Sequence, residues 1–149
     1  LIYTGINRTA HKIANQYVNK LTTAKKQNIK KILTYVKDAE YILKYGDIDD
    51  FGLLLNDAWM EKKALSSLIT NSKINDIYDD AIINGALGGK LLGAGGGGFL
   101  LMYMKKKDRE KFLKKNKKLI NIPFKFSSSG SEIIFDQLKE DYKWKLIIH

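Results

Sequence analysis

The chain has 149 residues and no cysteine, a length that suits one domain able to bury about 70% of its unfolded surface. The missing cysteines rule out disulfides and thiolate metal sites and fit a cytoplasmic protein, and no apolar run is long enough for a membrane span or built like a signal peptide. The formal net charge is +10, but it is carried by lysines dispersed over predicted helix faces. Arg8 and Arg109 are the two arginines. Nucleic-acid modules focus their charge and interleave arginines or aromatics, so neither nucleic acid nor membrane is an expected partner.

In chain order, Leu1–Thr4 reads as a strand, and Asn7 to about Thr22 as a helix with Ile13, Ala14, Tyr17, Val18 and Leu21 at helical spacing. A second helix is predicted from Lys25 to Tyr45 with the stripe Ile29, Ile32, Leu33, Val36, Ala39 and Leu43, ended by Gly46. Asp47 is a candidate cap for a third helix whose apolar face holds Phe51, Leu54, Leu55, Ala58 and Leu65. Thr70–Lys73 is turn-like, and a fourth helix over Asn75–Gly85 carries Ile77, Tyr78, Ala81 and Ile82. Strands follow at Gly89–Leu92 and Phe99–Met104 around a glycine loop. Beyond them lie a basic helix over Asp108–Ile120 with Phe112, Leu113 and Leu119 inward, and a strand opened by Pro123 over Phe124–Ser127. Ser127–Gly130 is a turn into Glu132–Phe135, and the tail Asp136–His149 suits a helix or a strand equally. About five strands with long helices between them predict an α+β fold rather than regular βαβ alternation.

Seven of the sixteen residues from Gly88 to Tyr103 are glycine. Glycine loses the most backbone entropy on folding, so such a cluster needs positive φ or close approach by something else. Successive unhindered N–H groups can form an anion-binding nest, which makes phosphate the natural guest; a packing hairpin is the plainer alternative. Gly93-x-Gly95-x-x-Gly98 has the letters of a dinucleotide fingerprint, but an apolar strand follows where a helix is required. The P-loop pattern also fails, because Asn84 stands at its first glycine and Leu91 follows Lys90 in place of Ser or Thr.

Strand, glycine loop, strand resembles the third motif of the GHMP kinases, the family of galactokinase, homoserine kinase and mevalonate kinase. The segments Leu1–Ala10, Leu54–Ser66, Ile74–Tyr78 and Pro123–Phe126 with Gly130-Ser131 are similar to the branch that phosphorylates D-glycero-D-manno-heptose 7-phosphate. The resemblance runs from Leu1 to about Phe135 and matches the C-terminal half of such a kinase. It implies a ferredoxin-like antiparallel sheet with helices on one face, over a single domain spanning residues 1–149. It further implies an N-terminal ATP-binding domain in the same polypeptide, outside this chain, which holds most of the ATP and Mg²⁺ contacts and the main catalytic acidic residue. The chain alone is then expected to be inactive. The implied reaction moves the ATP γ-phosphoryl to a hydroxyl of a sugar phosphate; a galactose, fucose or mevalonate acceptor, or a stand-alone non-catalytic domain, are the alternatives.

By the same resemblance Gly93, Ala94, Gly95, Gly96 and Gly97 lie under the phosphate loop and shape it. Lys90 reads either as a point charge for phosphate or as a solvent-facing strand lysine. Arg8 reads as a bidentate phosphate grip or, more simply, a helix-start salt bridge. Asn56 stands where the heptose-kinase pattern often has histidine, and Trp59 suits the core better than sugar stacking. His11 and His149 are isolated, with no ligand spacing for a metal. Asp76, Asp79 and Asp80 are read as acidic residues favouring a helix N-terminus.

Overall fold

A computed structural model of the protein describes residues 1–8, 23–126 and 130–132. The chain order is β1 (Ile2–Tyr3), α1 (Thr23–Tyr45), α2 (Ile48–Leu65), α3 (Ser72–Ile83), β2 (Ala86–Leu91), β3 (Phe99–Met104), α4 (Lys106–Lys115) and β4 (Ile120–Asn121). The strands form one sheet in the order β2-β3-β1-β4, and every neighbouring pair is antiparallel. This is the split βαβ arrangement of a ferredoxin-like α+β fold, with the helices on one face of the sheet.

Local chemistry places the helices. Asp47 caps α2 by accepting a bond from the Asp49 N–H, and Asn71 caps α3 by accepting one from Ile74. The Asn71 cap starts α3 three residues before the predicted Asn75, so the turn-like Thr70–Lys73 is its N-terminus. Gly85, at φ +98°, ends it as expected. Trp59, Ile69, Ile74, Tyr78, Leu91, Leu100 and Phe112 are the largest fully buried apolar side chains, and they join α2, α3, α4 and the central strands into one core.

Two glycines set the spacing between helix and sheet. A Cβ on Gly88 would lie 2.1 Å from the carbonyl oxygen of Gly52, and one on Gly52 would lie 2.4 Å from the Tyr103 ring. Helix α2 therefore sits directly on the β2–β3 hairpin, with Tyr103 Oη donating to Asp49 at 2.8 Å.

Several boundaries differ from expectation. On α1 the inward side is Ile29, Ile32, Ala39 and Ile42, whereas Leu33, Val36 and Leu43 are 62%, 62% and 55% exposed. Glu61 of α2 accepts from Asn28 at 2.5 Å and Lys31 at 2.9 Å, which fixes the rotation of α1. Strand β2 starts at Ala86 rather than Gly89, and α4 ends at Lys115 rather than Ile120. The last described strand is Ile120–Asn121, where Leu1 and Ile122 exchange backbone bonds of 3.1 and 2.8 Å beside the ladder. Pro123, lacking an N–H, stops that ladder instead of opening one, and Phe124–Phe126 is irregular. The expected helix over Asn7–Thr22 lies outside the described residues from Thr9 on. Ser127–Ser129, Ile133–Phe135 and the tail lie outside them too.

Candidate functional site

The glycine loop comprises Leu92 to Gly98, between the end of β2 and the start of β3. Its neck is closed by Leu92 N–H donating to the Phe99 carbonyl at 2.9 Å. Gly93, Gly95, Gly96 and Gly98 have φ of +72°, +115°, +74° and +98°, so the backbone path itself selects glycine. Space adds a second demand: a Cβ on Gly97 would lie 2.6 Å from the Ile6 carbonyl oxygen.

That path is held by three other segments of chain. Gly96 N–H donates to the Ile69 carbonyl at 2.8 Å, and Gly98 N–H to the Ile6 carbonyl at 2.9 Å. The Gly98 carbonyl accepts from both the N–H and Oγ1 of Thr4, each at 2.9 Å. Asn71 uses its oxygen to cap α3 and its Nδ2 to reach the Gly96 carbonyl at 3.3 Å. The third holder is Lys62 on α2, whose ammonium donates to the Leu91 carbonyl at 3.2 Å and to the Gly93 carbonyl. Gly95, Gly96 and Gly97 are consequently buried, whereas Gly93 is exposed and Ala94 half-buried. The loop thus has an inner part packed on Ile6 and Ile69 and an outer rim at Leu92–Ala94.

Lys90 is half-buried on β2, paired with Leu101 across the hairpin. Burial first, and the Lys90 charge second, push the Lys62 ammonium down from 10.5 to about 8. The two ammonium groups therefore feel one another beside the end of β2, with Lys62 spent on the Leu91 and Gly93 carbonyls. Arg8 is exposed, two residues past Ile6 where the chain is laced to Gly98.

The remaining candidates have structural duties. Trp59 is fully buried, and Lys63 lies 5.6 Å above the ring centroids of both Trp59 and Tyr78. Asn56 accepts from Tyr78 Oη at 2.8 Å. Burial, as the largest cause, raises the Tyr78 hydroxyl to about 12, so it stays a neutral donor. The reading of Asp76, Asp79 and Asp80 as N-terminal charges is corrected, since the first turn of α3 contains no acidic residue. Asp80 instead faces α4, accepting from Lys115 at 2.9 Å and Asn116 at 2.8 Å. Lys115, the largest influence, holds its carboxyl below the usual range. His11 and His149 lie outside the described residues.

Among the described residues no group of three or more His, Asp or Glu side chains could hold a metal ion. The N–H groups of Leu92, Gly96 and Gly98 and the Lys62 ammonium all donate to protein carbonyls, so these donors hold the loop itself. An apolar groove of about 280 Å³ lies elsewhere, lined by Ile2, Phe51, Leu55, Phe112 and Phe124 among others, and no loop residue borders it. No helix among the described residues is long and apolar enough to cross a membrane.

Lys62 and Asn71 were not singled out by sequence. Each holds the loop across more than twenty residues of intervening chain, and such pairing leaves no local pattern. The one sequence signal was the position of Lys62 on the helical face next to Trp59 and Leu65, where a lysine is unexpected.

Comparison with known proteins agrees with this architecture. The family model described as "GHMP kinases C terminal" matches residues 24–120. The chain is 31% identical over 137 residues to the D-glycero-alpha-D-manno-heptose 7-phosphate kinase of Campylobacter jejuni, covering 87% of this chain and 39% of that protein. It is 34% identical over 108 residues to the L-fucokinase/L-fucose-1-P guanylyltransferase of Bacteroides fragilis, covering 70% of this chain and 11% of that protein. The structure of L. major mevalonate kinase in complex with R-mevalonate superposes with a TM-score of 0.65 at 25% identity, over 78% of this chain and 36% of that one. The chain therefore spans well under half the length of these relatives. With the matched family model covering most of its described fold, the chain belongs to the GHMP kinase family, as a C-terminal domain of that family.

Proposed function

We propose that this domain completes the active site of an ATP-dependent sugar kinase by supporting the phosphates with its glycine loop. The observation that carries the reading is the loop itself, a backbone of repeated positive φ locked by Ile6, Ile69, Asn71 and Lys62, with two lysines at its approach. Phosphoryl transfer needs positioning and charge neutralisation more than covalent help. A rigid loop and fixed cations provide both without reorganising as charge develops.

In this reading Gly93 and Ala94 form the rim that faces the phosphates, while Gly95, Gly96 and Gly97 give the loop its shape from beneath. Lys90 contributes charge on the substrate side, and Arg8 a guanidinium able to grip phosphate bidentately. ATP, when bound, supplies the γ-phosphoryl group. The carboxylates for Mg²⁺ and the catalytic acid belong to an N-terminal domain of the same polypeptide, in keeping with this chain covering 39% of the Campylobacter relative. The acceptor is a sugar phosphate, D-glycero-D-manno-heptose 7-phosphate, and the hydroxyl phosphorylated is the anomeric one. The name of the Campylobacter relative and the net charge of +10, which attracts a phosphorylated acceptor, support this choice.

A second reading, a non-catalytic binding domain of the same fold, draws on the burial of Gly95–Gly97 against Ile69 and Ile6. Assaying ADP release by the full-length protein with heptose 7-phosphate, fucose, galactose and mevalonate separates the two. Turnover is expected with the heptose phosphate; turnover with another acceptor contradicts the substrate, and none with any of them favours the binding domain.

A further inference from the structure

We propose that Lys62 is a positioning residue that orients the Gly93–Ala94 peptide, so that the Ala94 N–H becomes a fixed donor for a phosphate oxygen at the loop rim. The inference rests on the reading of that rim as phosphate-facing. Lys62 approaches from α2 and donates to the carbonyls of Leu91 and Gly93, one on each side of exposed Leu92. A peptide unit is planar and trans, so the N–H of each following residue points away from its carbonyl. Fixing the Leu91 carbonyl on Lys62 directs the Leu92 N–H to the opposite side, where it donates to Phe99 at 2.9 Å and closes the neck. Fixing the Gly93 carbonyl likewise directs the Ala94 N–H away from Lys62. Gly93, at φ +72° with nothing within 4 Å of its Cβ position, has no side-chain packing of its own to hold this peptide.

A hydrocarbon side chain would fill this part of the α2–β2 interface without burying charge. The ammonium is lowered to about 8 by burial first and by Lys90 second, so its presence costs stability. The sign is definite. Between about 8 and 10.5 the unfolded chain holds the proton and the folded one does not, so stability rises with pH across that window. On its own helix, Glu61 is paired with Lys31 and Asn28 of α1, and Lys63 lies over Trp59 and Tyr78. Lys90 of β2 is the charge that acts on it. A tether retained at a cost in stability points to a role in function.

The experiment compares full-length protein with its Lys62→Met and Lys62→Arg variants. In Lys62→Met the Ala94 amide order parameter is expected to fall from the rigid range of about 0.85 to below about 0.6, while amides of α2 and β3 hold. The KM for ATP is expected to rise about tenfold, a loss of about 1.4 kcal/mol, with kcat changing less and Arg restoring most of it. In the wild type the Ala94 amide shift should titrate with a midpoint near 8, and this titration should vanish in Lys62→Met. An Ala94 amide that stays rigid in Lys62→Met, or a KM that does not move, overturns the proposal. If Lys62→Met fails to fold, the wild-type titration decides: an Ala94 shift that is flat from pH 7 to 9.5 overturns it. A wild type that turns over no acceptor contradicts the kinase reading instead, and the amide readout alone then judges Lys62.

Discussion

Gly96 is gripped at both of its polar atoms, its N–H by Ile69 and its carbonyl by Asn71. It sits at φ +74°, a region that a β-branched residue does not enter without strain. Gly96→Val should therefore distort the loop at a point held from both sides. A strain of about 1–3 kcal/mol corresponds to a loss of about fivefold to 150-fold in kcat/KM of the full-length enzyme. Steady-state kinetics check this, and unchanged kcat/KM would mean that the loop is only a packing hairpin. Asn56 and Trp59 stand apart from the site, because one bonds the Tyr78 hydroxyl and the other is wholly enclosed. Their positions on the predicted third helix were legible from periodicity. Their partners were not, because Tyr78 lies 22 residues from Asn56 in the chain.

The α2–hairpin unit shows at the scale of elements why the loop is precise. Helix α2 lies against β2 through Gly52 and Gly88 and sends Lys62 past the end of that strand. Gly88→Ala should push the two apart, since its Cβ would meet the Gly52 carbonyl oxygen at 2.1 Å. Overpacking of this kind costs roughly 1–3 kcal/mol, read as a lower urea midpoint at constant m-value; an unchanged midpoint would show that the contact relaxes freely. Helices α1 and α2 were readable in the sequence because their apolar spacing and the Asp47 cap are local signals. The inward face of α1 was misread, since Leu33 and Val36 are as apolar as Ile29 and Ile32, and the packing of those isoleucines on the core and the Glu61 pairings choose between them. Strand β4 was misplaced for a related reason. A two-residue strand has no periodicity, and its position is set by pairing with Ile2 and Tyr3 at the other end of the chain.

For the whole molecule, the decisive fact is that a C-terminal domain of the GHMP kinase family carries a loop tethered by Ile6, Ile69, Asn71 and Lys62, with no metal-binding group of carboxylates among the described residues. The glycine pattern made the loop and its family legible from sequence, since few loops need four positive-φ residues within six positions. The division of the loop into a buried inner part and an exposed rim became visible only once Ile6, Ile69, Asn71 and Lys62 were brought to it by the fold. Under the proposed function, the domain is one half of a composite site, supplying support and charge, and the other half supplies metal ligands and the acid. The most direct test is a paired ADP-release assay with ATP, Mg²⁺ and heptose 7-phosphate. One sample is this 149-residue chain alone, and the other is the full-length protein. Turnover by the full-length protein and silence of the chain alone is the predicted result; comparable turnover by the isolated chain would contradict the composite site.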